Sequence, residues 1–160
     1  MAEYKSEVKT IFAPQERVFD KLSDFTNLSV IQQSIENPEI QERLKAQVGD
    51  KVSPSQFEQM MEKFRDLRFT QDSVSGNASL LGDITLRIIE RQQPGCIKFA
   101  LEGAPILANM WIQLLPATDT KCAMRLTVKA DMNFFIKQML DNKLKQGVDG
   151  LAQLLASIPY

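Results

Sequence analysis

The sequence predicts an α+β fold in which a curved antiparallel sheet is covered on one face by a long C-terminal helix. Three observations carry this expectation. Between Asp83 and Ala130 four apolar stripes recur at every second residue: Ile84/Leu86/Ile88, Ile97/Phe99/Leu101, Met110/Ile112/Leu114 and Met124/Leu126/Val128/Ala130. Successive strand side chains point to opposite faces, so each stripe is one wall of a sheet whose other face is wet. Turn clusters at Gln93-Pro94-Gly95, Gly103-Ala104-Pro105 and Pro116 to Thr120 separate the stripes, which makes the run a meander of hairpins. Finally, Ile136, Leu140, Leu144, Val148, Leu151, Leu155 and Ile158 recur at helical spacing, with Asn133 as N-cap and Pro159 as stop.

The remaining elements follow from the same periodicities. Tyr4 to Phe12 alternates as one strand, with Tyr4, Ser6, Val8, Thr10 and Phe12 on the inner side. Pro14 suits the start of a helix, where its missing N–H has no partner to lose. Val18, Phe19 and Leu22 share that helix's apolar face. Ser23-Asp24-Phe25 breaks it, and Leu28, Ile31 and Ile35 mark a second short helix. A polar helical insert spans about 39–66. Its first piece carries Ile40 and Leu44 and is interrupted at Gly49-Asp50. The second opens with Ser53-Pro54-Ser55-Gln56, a capping box with proline at the first helical position. Phe57, Met60, Met61 and Phe64 form that helix's apolar stripe, which suits packing on the sheet rim or a lid. Strand character returns at Leu67 to Thr70, and more weakly at Asp72 to Ser79, where Gly76 and Asn77 fit a bulge or an edge.

Composition narrows the function. A chain of 160 residues with 19 basic and 20 acidic side chains has no concentrated positive field, which argues against nucleic acid as a partner. No apolar run reaches the length of a membrane span or a signal-peptide core, so the expected location is cytoplasmic. Cys96 and Cys122 are expected as reduced thiols rather than a pair. Histidine is absent, which removes Ser-His-Asp and Cys-His chemistry and histidine metal sites. No catalytic residue, metal site or cofactor is expected.

The order of elements, β-α-α-β-β-β-β-β-β-α with an extra helical insert, resembles the helix-grip fold of the START-related (SRPBCC) superfamily. That superfamily includes lipid-transfer domains, polyketide cyclases and the birch-pollen-allergen family. The residues carrying the likeness are Ser6-Glu7-Val8-Lys9 through Ala13-Pro14, Val18-Phe19, Leu22-Ser23-Asp24-Phe25, Asn109-Met110-Trp111-Ile112-Gln113-Leu114, and Leu144 to Leu155 with Gly147-Val148-Asp149-Gly150-Leu151-Ala152. The insert departs from the pattern. The resemblance implies one domain over 1–160, a seven-stranded antiparallel sheet wrapped around the last helix, and a ligand-sized apolar space between them.

The inner wall offers Leu86, Ile88, Phe99, Leu101, Met110, Ile112, Met124, Leu126 and Val128, and the last helix adds Met139, Leu140 and a notch at Gly147. These are the expected ligand-binding residues, and none is an acid, a base or a hydroxyl. Catalysis by proton transfer needs a titratable group within reach of substrate. The charged residues Asp83, Arg87, Lys98, Glu102, Arg125 and Lys129 alternate outward. The first reading is therefore a domain holding an apolar or amphipathic small molecule, lipid-, sterol- or polyketide-like. A cyclase- or dehydratase-like enzyme would have Asp24, Tyr4 or Thr10 as its inward polar groups. A protein-interaction domain with a filled core, using the insert or the Trp111 face, is the third, and a homodimer is open as a partner. Met110, Met124 and Met139 are expected inside, and Lys137, Asp141, Lys145 and Asp149 on the solvent side of the last helix.

Overall fold

The computed structural model describes residues 2–34, 36–48, 53–77, 82–104, 106–156 and 160. Expectations for Ile35, Gly49, Asp50, Ser79, Pro105, Ile158 and Pro159, and for the side chains of Ile31, Leu44 and Met60, lie outside the described residues. In chain order the elements are β1 (Ala2–Lys5), β2 (Lys9–Ile11), α1 (Gln15–Leu22), α2 (Thr26–Ser34), α3 (Pro38–Val48), α4 (Pro54–Arg65), β3 (Arg68–Phe69), β4 (Ser73–Asn77), β5 (Asp83–Gln92), β6 (Cys96–Glu102), β7 (Leu107–Thr118), β8 (Lys121–Asp131) and α5 (Phe134–Ala156).

All pairings are antiparallel, in the order β1-β8-β7-β6-β5-β4-β3, with β2 also on β8. The eight segments occupy seven lanes, because β1 and β2 share one. The expected single N-terminal strand is thus broken, and the register shows how. Tyr4 pairs Val128 and Lys9 pairs Met124, so five steps on one strand face four on the other. The extra residue is a bulge, and it turns every later side chain to the opposite face. Tyr4 and Ser6 are buried, whereas Val8, Thr10 and Phe12, expected inside, are exposed, and Ile11 is buried instead. Ser6 holds the break. Its N–H donates to the Leu126 carbonyl (2.9 Å), and its Oγ accepts the Leu126 N–H (3.0 Å).

Two more irregularities shape the sheet. Ile88 pairs Phe99 and Glu90 pairs Lys98, leaving Ile89 as the extra residue and Arg91 opposite Ile97. Pro116, expected in a turn, lies within β7 opposite Cys122, beside the register shift at Pro116/Thr118. A strand proline is tolerated where the ladder is irregular, since it has no N–H to donate. At the end of β6, Gly103 adopts φ +85°, and a Cβ there would stand 2.9 Å from the Asp83 carbonyl oxygen. Only glycine fits that close approach without strain.

The helices start as their sequences dictate. Ser53 and Gln56 form the reciprocal capping box on α4 (3.2 and 3.0 Å) with Pro54 at the first position. Asn133 accepts the Ile136 N–H (2.9 Å) at the start of α5. Helix α5 packs against β8, β1 and β2 and touches α3, while α4 touches α2. Phe64 meets Phe69 of β3 at 6.2 Å between ring centres. Gln32 Nε2 donates to the carbonyls of Phe64, Arg65 and Leu67, tying α2 to the exit of α4. The insert therefore has one end at the β3 edge and the other at α5, the two banks of the concave side.

Candidate functional site

The register assigns the concave face without ambiguity. Met110 opposes Val128, Ile112 opposes Leu126, Leu114 opposes Met124, Phe99 opposes Met110, and Leu86 opposes Leu101. Opposed residues share a face, so Leu86, Ile88, Phe99, Leu101, Met110, Ile112, Met124, Leu126 and Val128 all line the side toward the helices. Arg87, Lys98, Glu102, Arg125 and Lys129 lie on the other side, where Arg87 pairs Glu102 (2.9 Å) and Lys129 pairs Glu3 (3.5 Å).

Burial along this wall is graded. At one end Ile97, Phe99, Leu114, Cys122, Met124 and Leu126 are excluded from solvent. They pack with Val18, Phe19 and Leu22 of α1, Leu28 of α2 and Phe25 of the turn between them, and Phe25 lies 5.7 Å from the Phe99 ring. This end is filled by the protein's own side chains. Toward the other end of the same strands, Ile84, Leu86, Leu101, Ala108, Val128 and Met132 are only half-buried, as are Ile136 and Leu144 of α5. Met110 and Leu140 are buried between the two zones. The wall is sealed at the α1–α2 end; at the end where α5 begins Ala130 and Ile106 are buried as well, while the side chains beside them are only partly covered.

Two expected members of the site fall elsewhere. Met139, expected inside, is 59% exposed. It precedes Leu140 by one residue and so stands about 100° around the helix from the buried stripe. Gly147 is exposed, and a Cβ built there meets nothing within 4 Å, so it forms no notch.

The polar groups are also redistributed. Tyr4 is buried on the concave face, and its hydroxyl donates to Asp141 Oδ1 (2.8 Å). Burial, then the adjacent carboxylate, pushes the Tyr4 phenol up to about 12. The Tyr4 hydroxyl and the Lys145 ammonium (3.2 Å) hold the Asp141 carboxyl below its usual range. Asp149 accepts the Glu7 N–H (3.1 Å). Asp141 and Asp149 thus face the N-terminal strand rather than solvent. Thr10 is exposed, opposite Ala123. Asp24 accepts from the Thr26 N–H and hydroxyl (2.9 and 2.6 Å) and serves the start of α2.

The bulge also creates an inward cation that alternation from Tyr4 had placed outside. Lys9 opposes Met124, keeps only 15% of its side chain exposed, and stands 3.6 Å from Glu7. Trp111 lies on the outer face beneath Lys98 and Lys129, whose ammonium groups sit 5.4 and 5.6 Å from its ring centre. Lys98 of β6 and Lys129 of β8 thus cover it from the two neighbouring strands. An open depression of about 580 Å³ flanks α5, lined by Phe134, Lys137, Gln138, Asp141 and Asn142, outside the apolar wall. Among the described residues no three His, Cys, Asp or Glu side chains gather as metal ligands, and no helix is long and apolar enough to cross a membrane. Cys96 and Cys122 are unpaired with each other.

This sheet gripping a C-terminal helix is the helix-grip fold, and similar solved structures share it over nearly the whole of this chain. Norcoclaurine synthase from Thalictrum flavum matches with TM-score 0.57 and 7% identity, over 98% of this chain and 85% of that one. A protein from Thermobifida fusca matches at 0.55 and 19% identity, over 97% and 91% of the two chains. One from Chromobacterium violaceum matches at 0.53 and 13% identity over the whole of both. No protein-family model and no curated protein matches the sequence. At these identities the likeness concerns the fold.

Proposed function

We propose that the protein binds an apolar or amphipathic small molecule at the partly covered end of the concave wall, between β5–β8 and the first half of α5. The observation that supports this is the change in burial along single strands. Phe99 is sealed while Leu101, two residues on and on the same face, is half-buried. Half-covered leucine, isoleucine, valine and methionine side chains on one concave surface gain from an apolar occupant, at about 25 cal/mol per Å² removed from water. The ligand-holding residues are then Leu86, Leu101, Met110, Val128 and Leu140, and Ile88, Phe99, Ile112, Met124 and Leu126 form the floor.

The strands β5–β8 place no acid or base on the wall; Lys9 turns inward at the sealed end, opposite Met124 and beside Glu7, and of the three inward polar groups expected for an enzyme only Tyr4 faces the interior, its proton directed to Asp141. Binding without turnover follows. Native mass spectrometry of the purified protein, after incubation with a long-chain fatty acid as probe, is the test. One probe per chain, lost under denaturing conditions, is expected. Bare protein at saturating probe would overturn the proposal.

A further inference from the structure

We propose that the outer face of β2, β8 and β7 docks an extended acidic segment of a protein partner. Register and alternation set the surface. Lys9, Ile11, Cys122 and Met124 turn inward, so Thr10, Ala123 and Leu115, which oppose one another, turn outward. Val8 and Phe12 stand two residues either side of Thr10 and share its face. The Lys121 ammonium sits 5.1 Å over the Phe12 ring. Phe12 is 76%, Leu115 67% and Val8 55% exposed, so large apolar side chains gather in water at this end of the outer face. Trp111 continues the surface along β7. The buried side chains of the helices belong to the concave cluster, on the other side of the sheet, as does the proposed ligand site.

The cations identify the occupant. Lys121 and Arg125 stand four residues apart on the outer face of β8, about 13 Å along the strand. Neither forms an ion pair among the described residues, and Arg125 Nε is buried without a hydrogen-bond partner. A guanidinium half withdrawn from water and unpaired gains from an incoming carboxylate. Of the acids bordering the surface, Glu7 pairs Lys9 (3.6 Å) and Glu3 pairs Lys5 and Lys129 (3.1 and 3.5 Å), while Asp119 lies in the turn beyond Lys121. The order across the strands separates a protein from other anions. The cations run along β8, the middle strand of the three, and the apolar side chains flank them on β2 and β7. A membrane-inserting face has the reverse order, apolar at its middle and lysine at its rim. A phosphate backbone takes the cations alone and leaves Val8 and Leu115 in water. A polypeptide carries carboxylates among apolar side chains, and when extended its every fourth residue repeats at the Lys121–Arg125 distance. Arginine and aromatic anchors are what such interfaces use.

Fluorescence polarisation with a labelled peptide, Glu-Ser-Leu-Ser-Glu-Ser-Leu-Ser-Glu, tests the proposal, because its glutamates and leucines share one face when it is extended. Saturable binding that weakens as salt is raised is expected. The same peptide with glutamine for glutamate should bind at least tenfold more weakly. Lys121→Glu and Phe12→Ser should each weaken the original peptide by the same factor, and both positions are exposed, so the variants keep the wild-type fold. Arg125→Gln should show the same loss. Absence of saturable binding at millimolar peptide, equal binding of the glutamine peptide, or unchanged affinity in Lys121→Glu would overturn the proposal. So would tighter binding of an oligothymidylate or of phosphatidylglycerol vesicles than of the peptide. A wild-type dimer in sedimentation velocity that Phe12→Ser splits would also overturn it, since a second copy would then cover the face.

Discussion

Phe99→Ala and Leu101→Ala are two truncations on one face of one strand, and the graded wall predicts that they differ severalfold. Phe99 is fully excluded from solvent, touches Phe25 ring to ring, and sits among the α1–α2 side chains. Its truncation leaves a cavity that a packed neighbourhood cannot fill, at about 3–5 kcal/mol. Leu101 is half-buried. Full burial of a leucine contributes roughly 1.5–3 kcal/mol, so the partial burial of Leu101 contributes about 1 kcal/mol, and solvent enters the space left behind. Urea unfolding of both variants, followed by circular dichroism with the slope checked for two-state behaviour, measures the difference. Equal losses at the two positions would refute the division into a sealed and a partly covered end. With an apolar ligand bound the order changes in a defined way: the Leu101→Ala loss grows, because the variant also binds less ligand, while that of Phe99→Ala grows little.

Other consequences are local. Ser6→Ala removes the acceptor of the Leu126 N–H at the N-terminal bulge; a buried donor left unpaired costs about 1–3 kcal/mol, and hydrogen exchange at Leu126 should accelerate while the β7–β8 amides keep their protection. Unchanged exchange at Leu126 would show that Ser6 is not what holds the break. Tyr4 and Tyr160 both have phenols raised by burial, Tyr4 to about 12, so native protein should show no phenolate absorbance step at pH 10, and denatured protein should show one. Because the folded value is the higher, this contribution to stability is full below pH 10 and is lost as pH rises through 12. Asp141 has the opposite sign: its lowered value stabilises the fold above the ordinary carboxylate range and that part is lost on acidification. Tyr4→Phe should move the Asp141 carboxyl upward by carbon-detected NMR titration, and an unmoved Asp141 would contradict the pairing.

The sheet face and the helix stripe were legible because period 2 and period 3.6 survive wherever the backbone is regular. The four stripes face inward as their alternation predicts, and Leu140, Leu144, Val148, Leu151 and Leu155 form the covered face of α5. Capping chemistry located Ser53 and Asn133 for the same reason, since the oxygen and the amide it serves lie within one turn. What alternation could not supply was the count of residues between pairings. One extra residue near Ser6 moved Val8, Thr10 and Phe12 out and brought Lys9 and Ile11 in. Nothing in the local pattern marks that break, because Ser6 replaces a ladder partner with its own hydroxyl. Met139 and Gly147 failed for a different reason: a helix's inner face spans only part of its circumference, and both stand just past its edge. The gradient itself was out of reach of the sequence. Whether Phe99 or Leu101 is covered depends on where α1, α2 and α5 cross the sheet, and identical apolar spacing serves both.

The most direct test of the binding site is a fluorescence titration with an environment-sensitive fatty-acid probe, comparing the wild type with Leu101→Arg. A charged side chain at the half-buried end can reach water and leave the fold intact, yet it places a cation on the surface that the apolar ligand must cover. Saturable one-to-one binding to the wild type, weakened at least tenfold in Leu101→Arg with unfolding free energies within about 1 kcal/mol of each other, is the expected result. Equal binding by the two proteins would contradict the partly covered end of the wall as the site.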